Sequence, residues 1–143
     1  MKKRFVALAT AFVLSLSVAF AQDVNVKPVP AAIVKELHQE FKNVSNVQWK
    51  TTNNFYKASF TVDGYSLEAF YSFDGQLQGV SRNISVEQLP MSLVREVKEK
   101  MSTYSVVELF ELLTDRGTEY FITFKNDKET KTYKSSGVDW TRY

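Results

Sequence analysis

The chain carries a single histidine, His38, and no cysteine. Nucleophilic catalysis needs a nucleophile, a base and a group that orients the base. His38 stands one position from Leu37 and four from Val34, and no G-x-S-x-G turn offers it a serine. It reads as a surface or boundary histidine. A protein zinc site draws most of its ligands from Cys and His, and this chain cannot fill one. Asp63, Asp74, Asp115 and Asp127 supply carboxylates, but without the alternating spacing of a calcium loop. Each falls in a segment that reads as a turn, where aspartate serves the backbone conformation. Glu108 and Glu111 lie three apart on a predicted strand and so point to opposite faces. No glycine-rich phosphate loop is present. The expectation is no catalytic residue, no metal and no cofactor.

The elements that position the remaining candidates follow from an internal echo. Residues 29–41, starting Val29-Pro30, align with residues 89–101, starting Leu89-Pro90. Such a repeat is read first, because it decides the architecture. Each segment predicts a helix opened by its proline, where a missing N–H costs nothing. The apolar positions Ile33, Val34, Leu37, Phe41 and Val44 recur sixty residues later as Leu93, Val94, Val97, Met101 and Tyr104. Spacings of three and four put each set on one stripe.

After each helix the period drops from 3.6 to 2, as in strands. The runs are 45–51, 54–62, 66–73 and 76–82, then 105–113, 118–125, 129–135 and 138–142. Between them lie Asp63-Gly64, Asp74-Gly75, Asp115-Arg116-Gly117, Asn126-Asp127-Lys128 and Ser136-Gly137. Asp-Gly between alternating runs marks a hairpin, since both turn residues must accept positive φ. The predicted fold is α+β, αββββ-αββββ, with both helices on one face of an antiparallel sheet. Tyr56, Ala58, Phe60 and Val62 form an inward set; so do Leu67, Ala69, Tyr71 and Phe73, and Tyr120, Ile122 and Phe124. Trp49 and Tyr104 also read as core.

Three phenylalanines break that parity. Phe55 alternates with Lys57 and Ser59, Phe70 with Glu68 and Ser72, and Phe121 with Thr123 and Lys125. They are placed on the sheet face away from the helices, where exposed aromatics within a polar rim can anchor a partner; the alternatives are that the sheet curves until these rings pack on one another, or that the parity slips by one residue at a bulge. The expected partner-binding residues are therefore Phe55, Lys57, Glu68, Phe70, Phe121 and Lys125.

The first 21 residues read as an address. Lys2-Lys3-Arg4 precedes an apolar run from Phe5 to Phe20, and Ala19-Phe20-Ala21 is a small-x-small cleavage signal. The expectation is a secretory signal peptide cut after Ala21, a flexible lead over 22–28, and one domain over 29–143 made of repeats 29–84 and 88–143. Removal of the leader takes three basic residues from 18 and none of the 16 acidic ones, leaving 15 against 16 and a formal charge of −1. That balance lacks the basic excess of a nucleic-acid binder. No later stretch is long enough to span a bilayer.

Val29-Pro30, Val47-Gln48-Trp49, Tyr56-Lys57-Ala58-Ser59-Phe60, Tyr71-Ser72-Phe73-Asp74-Gly75 and Leu89-Pro90 occur in that order. The order resembles the PepSY-like, β-lactamase-inhibitor-like domains, small secreted proteins of tandem helix-plus-sheet repeats, over about residues 28 to 143. The resemblance implies that fold, a place outside the cytoplasm, and a non-enzymatic role in protein binding or inhibition. The second half departs from it, with Leu109 for Trp49 and Ser135-Ser136-Gly137 for Phe73-Asp74-Gly75. The leading expectation is a periplasmic or secreted module that binds an unknown extracytoplasmic protein through the helix-free sheet face. The alternative is a small-ligand or cation-binding envelope protein with its pocket at the seam between the repeats.

Overall fold

A computed structural model describes residues 27–143. The predicted leader, its cleavage after Ala21 and residues 22–26 lie outside the described residues. Helices α1 (Ala31–Glu40) and α2 (Met91–Lys100) each begin just after a proline. Pro30 and Pro90 hold φ at −58° and −50° with extended ψ, so the ring fixes the turn into the helix. Their carbonyls accept the first helical hydrogen bonds, from the N–H of Ile33 (3.0 Å) and of Leu93 (2.9 Å). Each helix buries two residues four apart, Ile33 and Leu37, then Leu93 and Val97, which stack on one face of the helix.

Eight strands form one sheet whose order follows the chain. They are β1 (Ser45–Thr51), β2 (Tyr56–Val62), β3 (Tyr65–Tyr71), β4 (Leu77–Asn83), β5 (Ser105–Thr114), β6 (Gly117–Lys125), β7 (Thr130–Ser135) and β8 (Thr141–Arg142). Every pairing is antiparallel. A short 3-10 helix, Val86–Gln88, links β4 to α2. Asp63 and Gly64 turn β2 into β3 with φ of 48° and 86°, the double positive that a two-residue hairpin requires.

Both helices lie on one side. Under α1, Ile33 and Leu37 pack with Tyr56, Ala58, Phe60, Ala69 and Tyr71. Under α2, Leu93 and Val97 pack with Leu109, Ile122 and Phe124. The ladder Ala58–Ala69–Val80–Leu113 carries one parity across the middle of the sheet, so the two clusters share a face. Each large side chain buried there contributes about 1.5–3 kcal/mol. The halves meet along β4 and β5, where Arg82 is ion-paired to Glu111 on this same side.

The two helices part company at their ends. Phe41 leaves α1 with an extended backbone (φ −111°, ψ 124°) and lays its ring 4.9 Å from that of Phe60. Met101, its counterpart, stays helical (φ −63°, ψ −13°) and is 47% exposed. The expected burial of Met101 is thus corrected: without the extended residue its side chain is not turned onto the sheet. Phe73 lies beyond the end of β3 and is 43% exposed, also against expectation. The predicted strand over 138–142 shrinks to Thr141–Arg142, because Trp140 turns to α2 and donates its indole N–H to the Leu93 carbonyl (3.3 Å).

Trp49 is half-buried against Tyr71, ring centroids 5.8 Å apart. Tyr71 is fully buried, and its hydroxyl has no hydrogen-bond partner among the described residues. Burial, helped by the nearby Glu36 and Glu40 carboxylates, pushes its pKa up to about 12.

Candidate functional site

The side of the sheet away from the helices has its own aromatic cluster: Phe55, Phe70, Phe110, Leu112 and Phe121, with Tyr143 against it. Every member belongs to a strand, to the turn before β2 or to the chain end. Phe55 stands edge-on to Phe70 at 5.5 Å, Phe110 stacks on Phe121 at 5.0 Å and 13°, and Tyr143 meets Phe121 edge-on at 5.8 Å. Such ring pairs add about 0.5–1.5 kcal/mol each beyond their buried area.

Parity thus placed Phe55, Phe70 and Phe121 on the right face, and the fold brings them together. Of the two possibilities, rings standing in solvent or rings packed on one another, the structure has the second: each is only 1–2% exposed, which corrects the exposed reading. They form a packed floor, with rings closing on rings and Leu112 filling between them. Opposite Phe70, β4 offers Gly79. A Cβ at Gly79 would lie 2.9 Å from the Leu113 carbonyl oxygen and 3.1 Å from Leu112 Cδ1, so only glycine leaves β5 room to close on β4 here.

The polar candidates divide. Lys57 Nζ donates to Glu68 Oε1 at 2.6 Å, and the Ser59 hydroxyl donates to the same oxygen at 3.2 Å. This pair bridges β2 and β3 diagonally and is part-exposed, worth about 0.2–1 kcal/mol. Lys125 ends β6, exposed and beside Ser105 of β5, away from that pair. Tyr143, whose backbone N–H donates to the Thr132 carbonyl (2.9 Å), brings a half-buried ring to the edge of the floor. Burial raises its hydroxyl pKa, with a contribution from Glu119.

Beside the floor lies a concavity of about 400 Å³, lined among others by Asn46, Gln48, Ser59, Glu68, Ser81 and Glu108. It draws on β1 to β4 of the first half and on β5 of the second. Glu108 follows an irregularity in the β5–β6 register, between Val106 and Glu108. Such bulges re-aim a side chain. Its carboxyl is raised above the ordinary carboxylate range, first by burial and then by the charge of Glu68, with Lys57 acting in the other direction. His38 is exposed on α1, on the opposite side of the molecule. Among the described residues no cluster of His, Cys, Asp and Glu could hold a metal ion, and no helix is long and apolar enough to cross a membrane.

Sequence reading missed Phe110, Leu112 and Tyr143, and gave Glu108 no role beyond pointing to the opposite face from Glu111. In the run Leu109-Phe110-Glu111-Leu112-Leu113 both parities are apolar, so alternation does not separate the two faces, and nothing in the sequence marks the bulge before Glu108.

No family model and no curated protein matches the sequence. Solved structures do match in shape. A BLIP-like protein from Bacteroides fragilis NCTC 9343 superposes with a TM-score of 0.69 at 18% identity, over 84% of this chain and 90% of its own. The chain has the BLIP-like fold. A DUF2874 family protein from Bacteroides uniformis ATCC 8492 gives 0.69 at 12% identity, over 80% and 88% of the two chains. A protein from Bacteroides eggerthii DSM 20697, described as periplasmic, gives 0.71 at 10% identity, over 81% and 90%. At these identities the likeness concerns the fold.

Proposed function

We propose that this protein is an extracytoplasmic, non-enzymatic module that binds another protein through the helix-free face of its sheet. The observation that carries the reading is the aromatic floor. The two other apolar clusters are each built around a helix stripe, whereas the described residues of this one come from strands, a turn and the chain end. Lys134 pairs in register with Phe121 and holds its Nζ 5.5 Å from the Tyr143 ring centroid; a ring floor edged by Lys57, Glu68, Lys134 and Tyr143 has the composition of an interface centre with a polar rim. The BLIP-like fold and the periplasmic description of one structural neighbour are consistent with that reading. So is the leader pattern at residues 1–21. The non-enzymatic part rests on the sequence, where the sole histidine has no nucleophile placed beside it. The proposal includes the PepSY-like organisation as two repeats, 29–84 and 88–143.

The test is site-directed photocrosslinking in the protein's own cell envelope. A benzophenone side chain at Lys125 or Lys134 faces the proposed interface, and one at Lys35 on α1 faces away. The reading predicts a discrete crosslinked partner from positions 125 and 134 and none from 35. Crosslinks to that partner from position 35 alone would overturn it.

A further inference from the structure

The cavity beside the aromatic floor has a chemical character of its own. Its lining is rich in side-chain oxygen acceptors: the amides of Asn46 and Gln48, the hydroxyls of Ser59 and Ser81, and the carboxylates of Glu68 and Glu108. The cations at hand are already engaged. Lys57 is bound to Glu68, and Arg82, also among the lining residues, is ion-paired to Glu111 on the helix side of the sheet. Among the described residues no hydrogen bond or ion pair reaches the Glu108 side chain, although its carboxyl is half-buried. One carboxylate therefore faces the cavity with no cation bonded to it, beside the ion-paired Glu68 and neutral acceptors, and Lys57 offsets its charge only from a distance.

An anion entering this space would be repelled, and a neutral ligand would leave Glu108 without a counter-charge. A guanidinium or ammonium group answers both demands, since it carries positive charge and only donors. The cavity also joins the aromatic floor directly. Ser81 pairs in register with Leu112, and Asn83, another lining residue, with Phe110. A cation seated here would thus have apolar neighbours on the same chain resting on the rings.

We propose that this cavity receives the tip of an arginine or lysine side chain from the protein bound on the helix-free face, with Glu108 as its counter-ion. The assignment rests on the reading of that face as the binding surface, and it commits to a basic residue flanked by apolar ones in the partner.

The probes are acetyl-Phe-Arg-Phe-amide, its citrulline analogue, which keeps the shape and loses the charge, and acetyl-arginine-amide. Each is titrated into the exported protein while the glutamate side-chain carboxyl resonances are followed by NMR. The expected result is a saturable shift at Glu108 with the arginine tripeptide and at least about tenfold weaker binding of the citrulline analogue, as loss of a charge-assisted pair implies. Glu108→Gln should erase that preference, and unchanged backbone amide resonances away from the cavity in the variant separate loss of the counter-ion from loss of the fold. Equal binding of arginine and citrulline tripeptides, or an arginine preference that survives Glu108→Gln, would overturn the assignment. Equal binding of acetyl-arginine-amide and the tripeptide would overturn its protein-partner part and give the cavity to a free small cation. The photocrosslinking test fails or succeeds independently of these titrations, so failure of the face and failure of the cavity assignment are distinguishable.

Discussion

Tyr71→Phe should make this protein more stable, and the gain should grow at high pH. The ring is fully buried beside Trp49, but the hydroxyl has no hydrogen-bond partner among the described residues. Burying an unsatisfied hydroxyl costs about 1–3 kcal/mol, and replacing it with hydrogen removes that cost at the expense of a small void. A net gain of about 1 kcal/mol at pH 7 is expected, or roughly 4 °C in Tm for a domain of this size. The second part follows from linkage. A phenol that ionises near 10 in the unfolded chain is pushed up to about 12 in the fold. The unfolded state therefore releases its proton first. Stability tied to this group is fully present below pH 10 and is lost as pH rises from about 10 to about 12. Two pH units correspond to about 2–3 kcal/mol, and the phenylalanine variant has no such loss. Urea unfolding of both proteins between pH 7 and pH 11 reads the first effect and about half of the second, roughly 1.4 kcal/mol. A variant less stable by more than about 1 kcal/mol at pH 7 would refute the reasoning, because the hydroxyl would then hold a hydrogen bond worth keeping.

Three further outcomes follow from the packing. Gly79→Ala places a methyl group 2.9 Å from the Leu113 carbonyl oxygen; strain of about 1–3 kcal/mol is expected in urea unfolding, and an unchanged midpoint would contradict the close approach of β4 and β5. Glu108→Gln should raise Tm at pH 7, because the native state holds this carboxyl's pKa above its ordinary value and so pays for its ionisation. The advantage should shrink as pH falls toward the ordinary carboxylate range, where wild-type Glu108 is protonated in both states; a pH-independent difference would contradict the desolvation of Glu108. Trp140→Phe removes the indole donor to the Leu93 carbonyl. It should cost about 1 kcal/mol and speed amide exchange in the β7–β8 connection, whereas unaltered exchange would show that this contact does not hold the connection.

The backbone plan was readable because its signals are local. Pro30 and Pro90 set the helix starts, and Asp63-Gly64 can only turn with both φ values positive, so helix and hairpin positions followed from residue type. The faces were readable wherever one parity is polar, as in β2, where Lys57, Ser59 and Thr61 alternate with Tyr56, Ala58 and Phe60. What was hidden depends on contacts distant in sequence. Phe55, Phe70 and Phe121 share a cluster with Phe110, Leu112 and Tyr143, which join them only once β5, β6 and the chain end are in place. Trp140 alternates with Val138 as a strand would, yet its indole is drawn to α2, and the predicted strand is cut to two residues. Met101 matches Phe41 in the echo, but the backbone after each helix differs, and no residue type announces that. The cavity depends on the bulge before Glu108 and on five strands converging, neither of which alternation records.

The central claim is that the ring-floored side of the sheet, away from the helices, meets the partner. Hydroxyl-radical footprinting of the protein, alone and in complex with the partner identified by crosslinking, tests it most directly. Met91 and Met101, 87% and 47% exposed on α2 and at its end, report the helix side. Tyr143, half-buried at the edge of the floor, reports the ring-floored side. The account predicts that the partner protects Tyr143 from oxidation and leaves both methionines as reactive as in the free protein. Protection of Met91 and Met101 with Tyr143 unchanged would contradict it.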